Sequence, residues 1–300
     1  MAGRDAAAPY KIGAAALSAL PGRMGERLAE AAAMAASYRD HDRRAMVERH
    51  LRRVVGPQLQ GAALDRMVRR AFASYGRYWA EALQLPHITT QELDAGMSWT
   101  GVGYLEDAAE AGKGAILAVP HLGGWDFAGA WLCSVGYPLT VVVEPLEPPE
   151  MFEWFAEFRR SLGMEVVPLG PEAGRAVMRA LRENRFACLL SDRDIGGGGV
   201  EVEFFGERTT LPAGPVTLAL RTGAPLLPTG VYYDDSRGGH AGVVRPPVPL
   251  TRTGRLRDDI AAGTQLLAAE LETFIRHAPD QWHVFQPNWP SDPGYRGRQP

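Results

Sequence analysis

The stretch AILAVPHLGGWDFAG, residues 115–129, contains the most informative pattern in this chain. Its first five residues are apolar and β-prone, which predicts a buried strand over residues 115–119. The two glycines that follow predict a turn, and residues 125–135 predict a helix. His121 therefore lies at the carboxyl end of a strand, the edge at which open α/β sheets place their binding sites.

The five-residue spacing of His121 and Asp126 allows two interpretations. A base at a strand end, with a carboxylate within reach to hold its tautomer, can remove the proton from an alcohol. The alternative is a structural histidine packed at the strand end, with Asp126 capping the helix that follows. Spacing alone gives the two interpretations about equal weight.

The length and composition fit a globular α/β protein. Three hundred residues with 46% hydrophobic content are enough for one large domain or two small ones. No run of roughly 18 to 20 apolar residues occurs, so we expect no transmembrane helix, and we also expect no signal peptide. Cys133 and Cys188 both lie in apolar segments, which favours buried free thiols in a reducing cytosol.

Basic residues are concentrated near the N-terminus. Residues 1–80 contain 14 Lys and Arg against seven Asp and Glu, whereas the other 220 residues carry excess acid. Helical patterning over residues 14–83, broken at two Pro-Gly pairs, predicts three helices. The second, residues 25–55, is amphipathic and carries basic residues in its second half, namely Arg43, Arg44, Arg49, Arg52 and Arg53. This profile suits either an anionic membrane surface or ordinary solvation.

Aromatic residues in the third predicted helix recur at three- and four-residue spacing, which favours core packing over a lipid-facing belt. They are Phe72, Tyr75, Tyr78 and Trp79.

The hydrophobic period changes near residue 108, where short apolar strands begin to alternate with helices. The predicted strands are 115–119, 139–143, 166–169, 186–190, 226–232 and 242–245, and the helices are 125–135, 149–162, 172–183, 213–222 and 258–276. This alternation predicts an α/β fold with a central, mainly parallel sheet flanked by helices. We therefore expect one integrated catalytic domain made of an N-terminal helical, basic, membrane-facing region (1–107), an α/β core (108–292) and a disordered tail (293–300).

A second polar cluster follows the predicted strand at residues 186–190. Asp192, Arg193 and Asp194 stand at the carboxyl end of that strand, at the same edge as His121 if the strands are neighbours. Asp192 and Asp126 are both candidates for the carboxylate that contacts the imidazole. The glycines at 196–199 predict either close backbone approach to a ligand or a flexible turn.

Glu144 places another carboxylate at this edge, and Arg159 follows on the next predicted helix. Arg159 could bind a phosphate or pair with Glu144, and an ion pair that serves only the structure is equally compatible. No HExxH, GxSxG, Walker or GxGxxG motif occurs, and the histidines show no metal-ligand spacing. These absences disfavour zinc and serine hydrolases, and we expect neither a metal nor a cofactor.

Five segments together resemble the lysophospholipid and lipid A biosynthesis acyltransferases, and more specifically the actinobacterial phosphatidylinositol mannoside acyltransferases. They are HLGGWD, VVVEPLEPPEMFEWFAEFRRSLGMEVVPL, LLSDRDIGGGGVEVEFFGE, LPAGPVTLALRTGAPLLP and DQWHVFQPNW. The resemblance covers about residues 51–289, with the segments in family order. It implies transfer of a palmitoyl-type acyl group from acyl-coenzyme A, as co-substrate, to a mannose hydroxyl of phosphatidylinositol mannoside. It also implies a peripheral location at the cytoplasmic face of the inner membrane.

The resemblance implies a role for each motif residue. His121 would be the general base, Asp126 its HxxxxD partner, and Asp192 the acid that faces it. The family pattern has glutamate at the position of Asp192, so it is open whether this shorter acid contacts His121 directly or through water. Glu144, Arg159 and Arg193 are expected to bind substrate, and Trp125, Phe127 and Trp131 to line an apolar acyl pocket or to pack in the core.

Three other functions are compatible with parts of the pattern. One is an acyltransferase with a lysophospholipid or another glycolipid as acceptor, and another is a catalytically silent membrane-binding protein. The third is a metal-dependent phosphoesterase that would use both HxxxxD residues together with Asp192 and Asp194. Retention of the histidine and two acids argues against a silent protein, which has no chemical need for all three. We expect an anionic membrane surface, the donor and the glycolipid as partners, and no nucleic acid.

Overall fold

Ten α-helices and nine strands make up the part of the chain that the computed structural model describes, residues 24–295 without 146, 235, 237 and 238. The helices are α1 Met24–Ala36, α2 His41–Val55, α3 Gly61–Gln84, α4 Thr90–Ala95, α5 Gly103–Glu110, α6 Trp125–Ser134, α7 Pro149–Ser161, α8 Ala173–Arg182, α9 Gly214–Thr222 and α10 Leu256–His277. The strands are β1 Met97–Thr100, β2 Ala115–Val119, β3 Leu139–Val143, β4 Glu165–Pro168, β5 Phe186–Leu190, β6 Val200–Phe204, β7 Glu207–Leu211, β8 Leu226–Asp234 and β9 Gly239–Val244.

Seven of the strands form one central sheet in the order β1-β9-β8-β2-β5-β3-β4. Every neighbouring pair is parallel except β8 and β9, which confirms the predicted α/β class. All five residues of β2 are buried. Its uninterrupted apolar run AILAV is the composition that a parallel strand covered on both faces requires. Strands β6 and β7 form a separate antiparallel hairpin.

The sheet separates two apolar layers. Successive residues of a strand point to opposite faces, so Leu117 and Ala118 of β2 enter different cores. One face is covered mainly by α3, α5, α6 and α7, and the other by α8, α9 and α10. Because of the same alternation, side chains at the carboxyl edge of the sheet can reach both apolar layers.

Two glycines fix the path from β2 into α6. Gly123 has a φ of +58°, and a Cβ there would lie 2.4 Å from the carbonyl oxygen of Val231. A Cβ at Gly124 would lie 2.7 Å from the side chains of Glu81 and His240. A larger residue at either position would therefore push α6 away from the sheet, which accounts for the Gly-Gly pair in HLGGWD.

The predicted helix over residues 25–55 is two helices, α1 and α2. Asp40 separates them because its side chain accepts a hydrogen bond from the backbone N–H of Arg43 at 3.1 Å and so caps the start of α2. The first predicted helix lies outside the described residues. Within the described part of the chain, no helix combines the length and the apolar character needed to cross a membrane.

Two arginines of α2 do not belong to a free basic surface, and the prediction is wrong for them. Arg44 pairs with Asp65 at 2.6 Å, and Arg53 pairs with Glu207 at 2.8 Å and with Asp292 at 2.7 Å. Both guanidinium groups are mostly shielded from solvent because they join α2 to neighbouring segments. Their positive charge stabilises the fold rather than an outer face.

Several short elements do not follow from the hydrophobic pattern, namely α4, α5, β1 and the β6–β7 hairpin. Strand β1 pairs with β9, so residues before 108 contribute to the central sheet, and the boundary predicted at 107 falls inside α5. In the predicted tail, the Tyr295 hydroxyl lies 3.4 Å from Thr210 Oγ1, and residues 296–300 lie outside the described residues.

Candidate active site

His121 and Asp192 meet because β2 and β5 are parallel neighbours in register. Val119 is paired with Leu190 as the two strands end, so residues two positions further along each chain lie side by side. Nδ1 of His121 is 2.7 Å from Oδ1 of Asp192, and the backbone N–H of His121 donates to Oδ2 at 2.8 Å. The contact is direct, so the carboxylate partner of the imidazole is Asp192 and no bridging water is needed.

Asp192 is fully buried, and its surroundings donate three hydrogen bonds to its carboxylate and one to its backbone carbonyl. Besides the two bonds from His121, Oδ2 accepts from the indole N–H of Trp282 at 2.7 Å, and the backbone carbonyl accepts from Asn288 Nδ2 at 3.0 Å. Burial by itself raises the pKa of Asp192, but His121 and Trp282 outweigh it and hold this pKa below its usual value. An ionised Asp192 only accepts, so Nδ1 of His121 carries the proton and Nε2 carries the free lone pair.

Asp126, the acid of the HxxxxD motif, was the other candidate for the carboxylate beside His121. It does not contact the imidazole. Its carboxylate accepts two hydrogen bonds from Arg159, from Nε at 2.9 Å and from Nη2 at 3.0 Å. The Tyr78 hydroxyl donates to the same carboxylate at 2.8 Å, and Asp126 is buried. With both oxygens bound, Asp126 is a structural anchor between α3, α6 and α7.

This anchor positions one wall of the site. The Tyr78 ring stacks on Trp125 with centroids 4.1 Å apart, and Trp125 stands edge-on to the His121 imidazole at 5.6 Å. Asp126 therefore acts on His121 at a distance, through the aromatic residues that limit where the imidazole can lie. Burial opposes the charge on Arg159, but Asp126 reverses this effect and raises the pKa of Arg159 above its usual value.

The remaining predicted polar residues lie at the rim of the same site. Arg159 pairs with Asp126 instead of Glu144, and Glu144 lies 3.9 Å from Arg193. Asp194 accepts from the backbone N–H of Gly199 at 2.9 Å, which holds the glycine loop closed on itself. Glu144, Arg159 and Arg193 all line the cavity into which His121 faces.

This cavity has a volume of about 760 Å³ and is lined mainly by apolar side chains. It begins at the carboxyl edge of the sheet and extends beneath it, where it is lined by Leu117, Leu132, Leu139, Val141 and Met164. Its aromatic wall consists of Tyr75, Tyr78, Trp79, Trp99, Trp125 and Phe155. A volume of this size suits one elongated apolar ligand.

Two of the three residues expected to line an acyl pocket do not line this cavity. Trp125 does, but Phe127 is buried on the other side of α6, where it stacks on His240 with centroids 3.9 Å apart. Trp131 packs against Trp99 and donates its indole N–H to Asp94 at 3.2 Å. Phe127 and Trp131 are four residues apart and share one side of a helix with 3.6 residues per turn, whereas Trp125 lies on the opposite side, so one wall cannot contain all three.

Some residues that build the site were not identified as site residues from the sequence. Tyr75, Tyr78 and Trp79 of α3 were assigned to core packing but line the cavity. Trp282 and Asn288, which hold Asp192, lie in the segment DQWHVFQPNW, whose resemblance to the family was the available signal. Among the described residues, no group of three or more His, Cys, Asp or Glu side chains is arranged to hold a metal ion.

The site combines a buried acid, an imidazole with a free Nε2 and a long apolar cavity. An imidazole in such a site can accept a proton beside a bound apolar ligand. The chain belongs to the bacterial lipid A biosynthesis acyltransferase family, which matches residues 9–291, and it is therefore an acyltransferase.

Individual relatives are consistent with this class. The chain is 40% identical to a phosphatidylinositol mannoside acyltransferase of Mycolicibacterium smegmatis over 249 residues, which cover 82% of this chain and 79% of the relative. It is 39% identical to the protein of the same name from Mycobacterium tuberculosis, over 82% of this chain and 77% of the relative. A lipid A biosynthesis acyltransferase of Haemophilus influenzae is 27% identical over 61% of this chain and 55% of the relative.

The two acids of the site should respond differently to amidation. Asp192→Asn should lower the rate of acyl transfer by roughly 10²- to 10⁴-fold, because the imidazolium formed in the reaction loses its charged partner. Asp126→Asn should mainly lower the melting temperature, because it leaves Arg159 buried beside a neutral amide. Initial rates per folded enzyme and thermal unfolding curves measure the two effects separately.

Asp259→Asn is the matched control, because Asp259 is a buried carboxylate that bonds to Thr253 away from the cavity. It should leave the rate per folded enzyme unchanged. An unchanged rate in Asp192→Asn, or a larger loss of rate in Asp126→Asn at equal folding, would reverse the assignment.

Proposed function

We propose that this chain transfers a long-chain, palmitoyl-type acyl group from acyl-coenzyme A to a mannose hydroxyl of a phosphatidylinositol mannoside-type glycolipid. His121 acts as the general base. The observation that carries the proposal is the His121–Asp192 pair facing the apolar cavity. The names of the relatives at 39–40% identity support this choice of acceptor.

The chemistry of the step suits the residues that are present. An alcohol is too weak an acid to attack a thioester unaided, so Nε2 of His121 takes its proton as the new carbon–oxygen bond forms. The Asp192 carboxylate stabilises the resulting imidazolium, which then protonates the departing thiolate of coenzyme A. The thioester is already activated, so the step requires neither a metal nor a covalent enzyme intermediate.

The apolar cavity favours a hydrocarbon chain as part of the substrate. Each methylene group moved from water into such a lining contributes about 0.8 kcal/mol. A long acyl chain therefore gains binding energy in proportion to its length until it fills the cavity, whose lining includes Leu132, Leu139 and Met164. A chain that fills the cavity also places its thioester at the carboxyl edge of the sheet, beside His121.

Peripheral attachment to the cytoplasmic face of the inner membrane belongs to the same proposal. Helix α1 exposes Met24 and Leu28 in a stripe that continues over small residues, with Arg27 beside them. Its other side packs against α3, where Glu26 pairs with Arg77. A helix with such a stripe rests on an anionic surface with its apolar face inserted and, here, with Arg27 among the headgroups.

The first test offers radiolabelled palmitoyl-coenzyme A to the full chain with phosphatidylinositol mannoside and a lysophospholipid in parallel. Transfer to the mannoside should exceed transfer to the lysophospholipid and should disappear in His121→Ala, because Nε2 provides the only base in the proposed step. His87→Ala, an exposed histidine away from the cavity, is the control and should behave as the native chain.

More than a few per cent of the native rate in a folded His121→Ala variant would show that another group takes the proton. A preference for the lysophospholipid, with the His121 dependence intact, would leave the acyltransferase mechanism in place and replace the acceptor.

The second test measures binding to vesicles of anionic phospholipid by co-sedimentation. The double variant Arg27→Glu, Leu28→Glu should bind roughly fivefold more weakly or worse, because it reverses one charge and removes one inserted side chain. Arg255→Glu, which reverses a highly exposed charge at the start of α10, is the control and should bind as the native chain. Equal binding by all three proteins would eliminate α1 as the membrane-facing helix.

A further inference from the structure

His283 is a second imidazole in the site, next to His121, with no part in the proposed proton transfer. Its backbone N–H donates to the carbonyl oxygen of His121 at 2.8 Å. Both rings stand against the same indole, since each ring centroid is 5.6 Å from that of Trp125. His283 is buried and lines the same cavity as His121.

One ring nitrogen of His283 has a protein partner and the other has none. Nε2 lies 2.9 Å from the hydroxyl oxygen of Ser74 on α3. Nδ1 is fully buried and makes no hydrogen bond within the described residues. A polar atom buried without a partner is uncommon in a folded protein. Because Nδ1 has no accessible surface in this structure, a ligand oxygen reaches it only when the side chains that cover it move as the ligand enters.

The tautomer of His283 depends on which atom donates in its contact with Ser74. When the Ser74 hydroxyl donates to Nε2, the single proton of the neutral ring lies on Nδ1, which becomes a donor. Burial, together with the positive charge of the neighbouring His121, lowers the pKa of His283 to about 3. The ring is therefore neutral wherever His121 can act as a base, and it keeps its proton throughout the reaction.

We propose that the Nδ1–H of His283 donates a hydrogen bond to the carbonyl oxygen of the acyl donor and stabilises the oxyanion that forms there. The inference rests on the proposed function only in that acyl transfer proceeds by attack on this carbonyl with His121 as base. It does not depend on which glycolipid accepts the acyl group.

The acceptor hydroxyl oxygen bonds to the thioester carbon while its proton passes to Nε2 of His121, and the carbonyl π electrons move onto oxygen. The Nδ1–H of His283 binds that oxyanion without giving up its proton. The carbonyl then reforms, the carbon–sulfur bond breaks, and the thiolate takes the proton from His121. A donor fixed in this position is worth most in the transition state, when the charge has developed.

Two amide substitutions separate the two ring nitrogens. The amide nitrogen of Asn occupies the place of Nδ1, whereas that of Gln occupies the place of Nε2. His283→Asn therefore keeps a donor toward the cavity, and His283→Gln keeps only the contact with Ser74. We expect His283→Gln to lower kcat by about 10²- to 10³-fold with little change in the KM of the donor, and His283→Asn to lie within roughly tenfold of the native chain.

Further readouts distinguish this role from a structural one. The pH dependence of kcat should keep its shape in both variants, because His283 does not titrate in the working range. Ser74→Ala, measured beside them, should lower kcat by a smaller factor, because the ring proton is then free to occupy either nitrogen. Melting temperatures of all three variants establish that rates are compared between folded proteins, and Ser74→Ala serves the test if a His283 variant fails to fold.

Loss of activity in His283→Asn with retention in His283→Gln would overturn the inference, because the nitrogen facing Ser74 would then be the important one. Native rates in both variants, or equal losses in both at equal folding, would also overturn it. His121→Ala is assayed in parallel. An active His121→Ala would refute the proposed function, whereas an inactive one beside unaffected His283 variants would refute the role of His283 alone.

Discussion

The parallel pairing of β2 with β5 is the constraint on which the rest of this site depends. Because Val119 and Leu190 are in register, the residues just beyond the two strands are brought together without any contribution from a flexible loop. His121 donates two hydrogen bonds to one carboxylate, through its ring and through its backbone, so the position and tautomer of the imidazole are both fixed. A shift of one residue in this register would separate His121 from Asp192 and turn the buried apolar residues of the shifted strand to the wrong faces.

A fully buried carboxylate requires neighbours that compensate for lost water, and the C-terminal segment supplies them. Trp282 donates to the carboxylate of Asp192 and Asn288 to its backbone carbonyl. The same segment is tied to α2 through Asp292, which accepts from Arg53 and pairs with His50. This explains why basic residues of α2 point inward. The N-terminal helices, the C-terminal segment and the sheet therefore enclose the acid together, and the apolar cavity opens on the one side of the imidazole that these contacts leave free.

The fold was largely predictable because the spacing of apolar residues along a strand or a helix shows which of its side chains are buried. The parallel sheet, its helices and the placement of His121 and Asp192 at strand ends follow from local pattern. That the two strands are neighbours in the sheet is seen only in the folded structure. The partner of Asp126 could not be predicted from the sequence, because Arg159 reaches it from another helix and the spacing of the motif carries no information about that contact. The orientation of Phe127 and the pairing of β1 with β9 are likewise set by tertiary packing. The role of His283 could not be predicted from the sequence, because the lack of a partner for Nδ1 can be recognised only in the folded structure.

Proton NMR of the chain labelled with ¹⁵N-histidine tests most directly whether Asp192 holds the catalytic imidazole. A hydrogen bond from Nδ1–H to a buried carboxylate moves the proton resonance far downfield and protects it from exchange with water. We predict that this His121 signal is present in the native chain and in folded Asp126→Asn, and is lost or moved strongly upfield in Asp192→Asn. A signal that survives in Asp192→Asn and disappears in Asp126→Asn would contradict the account.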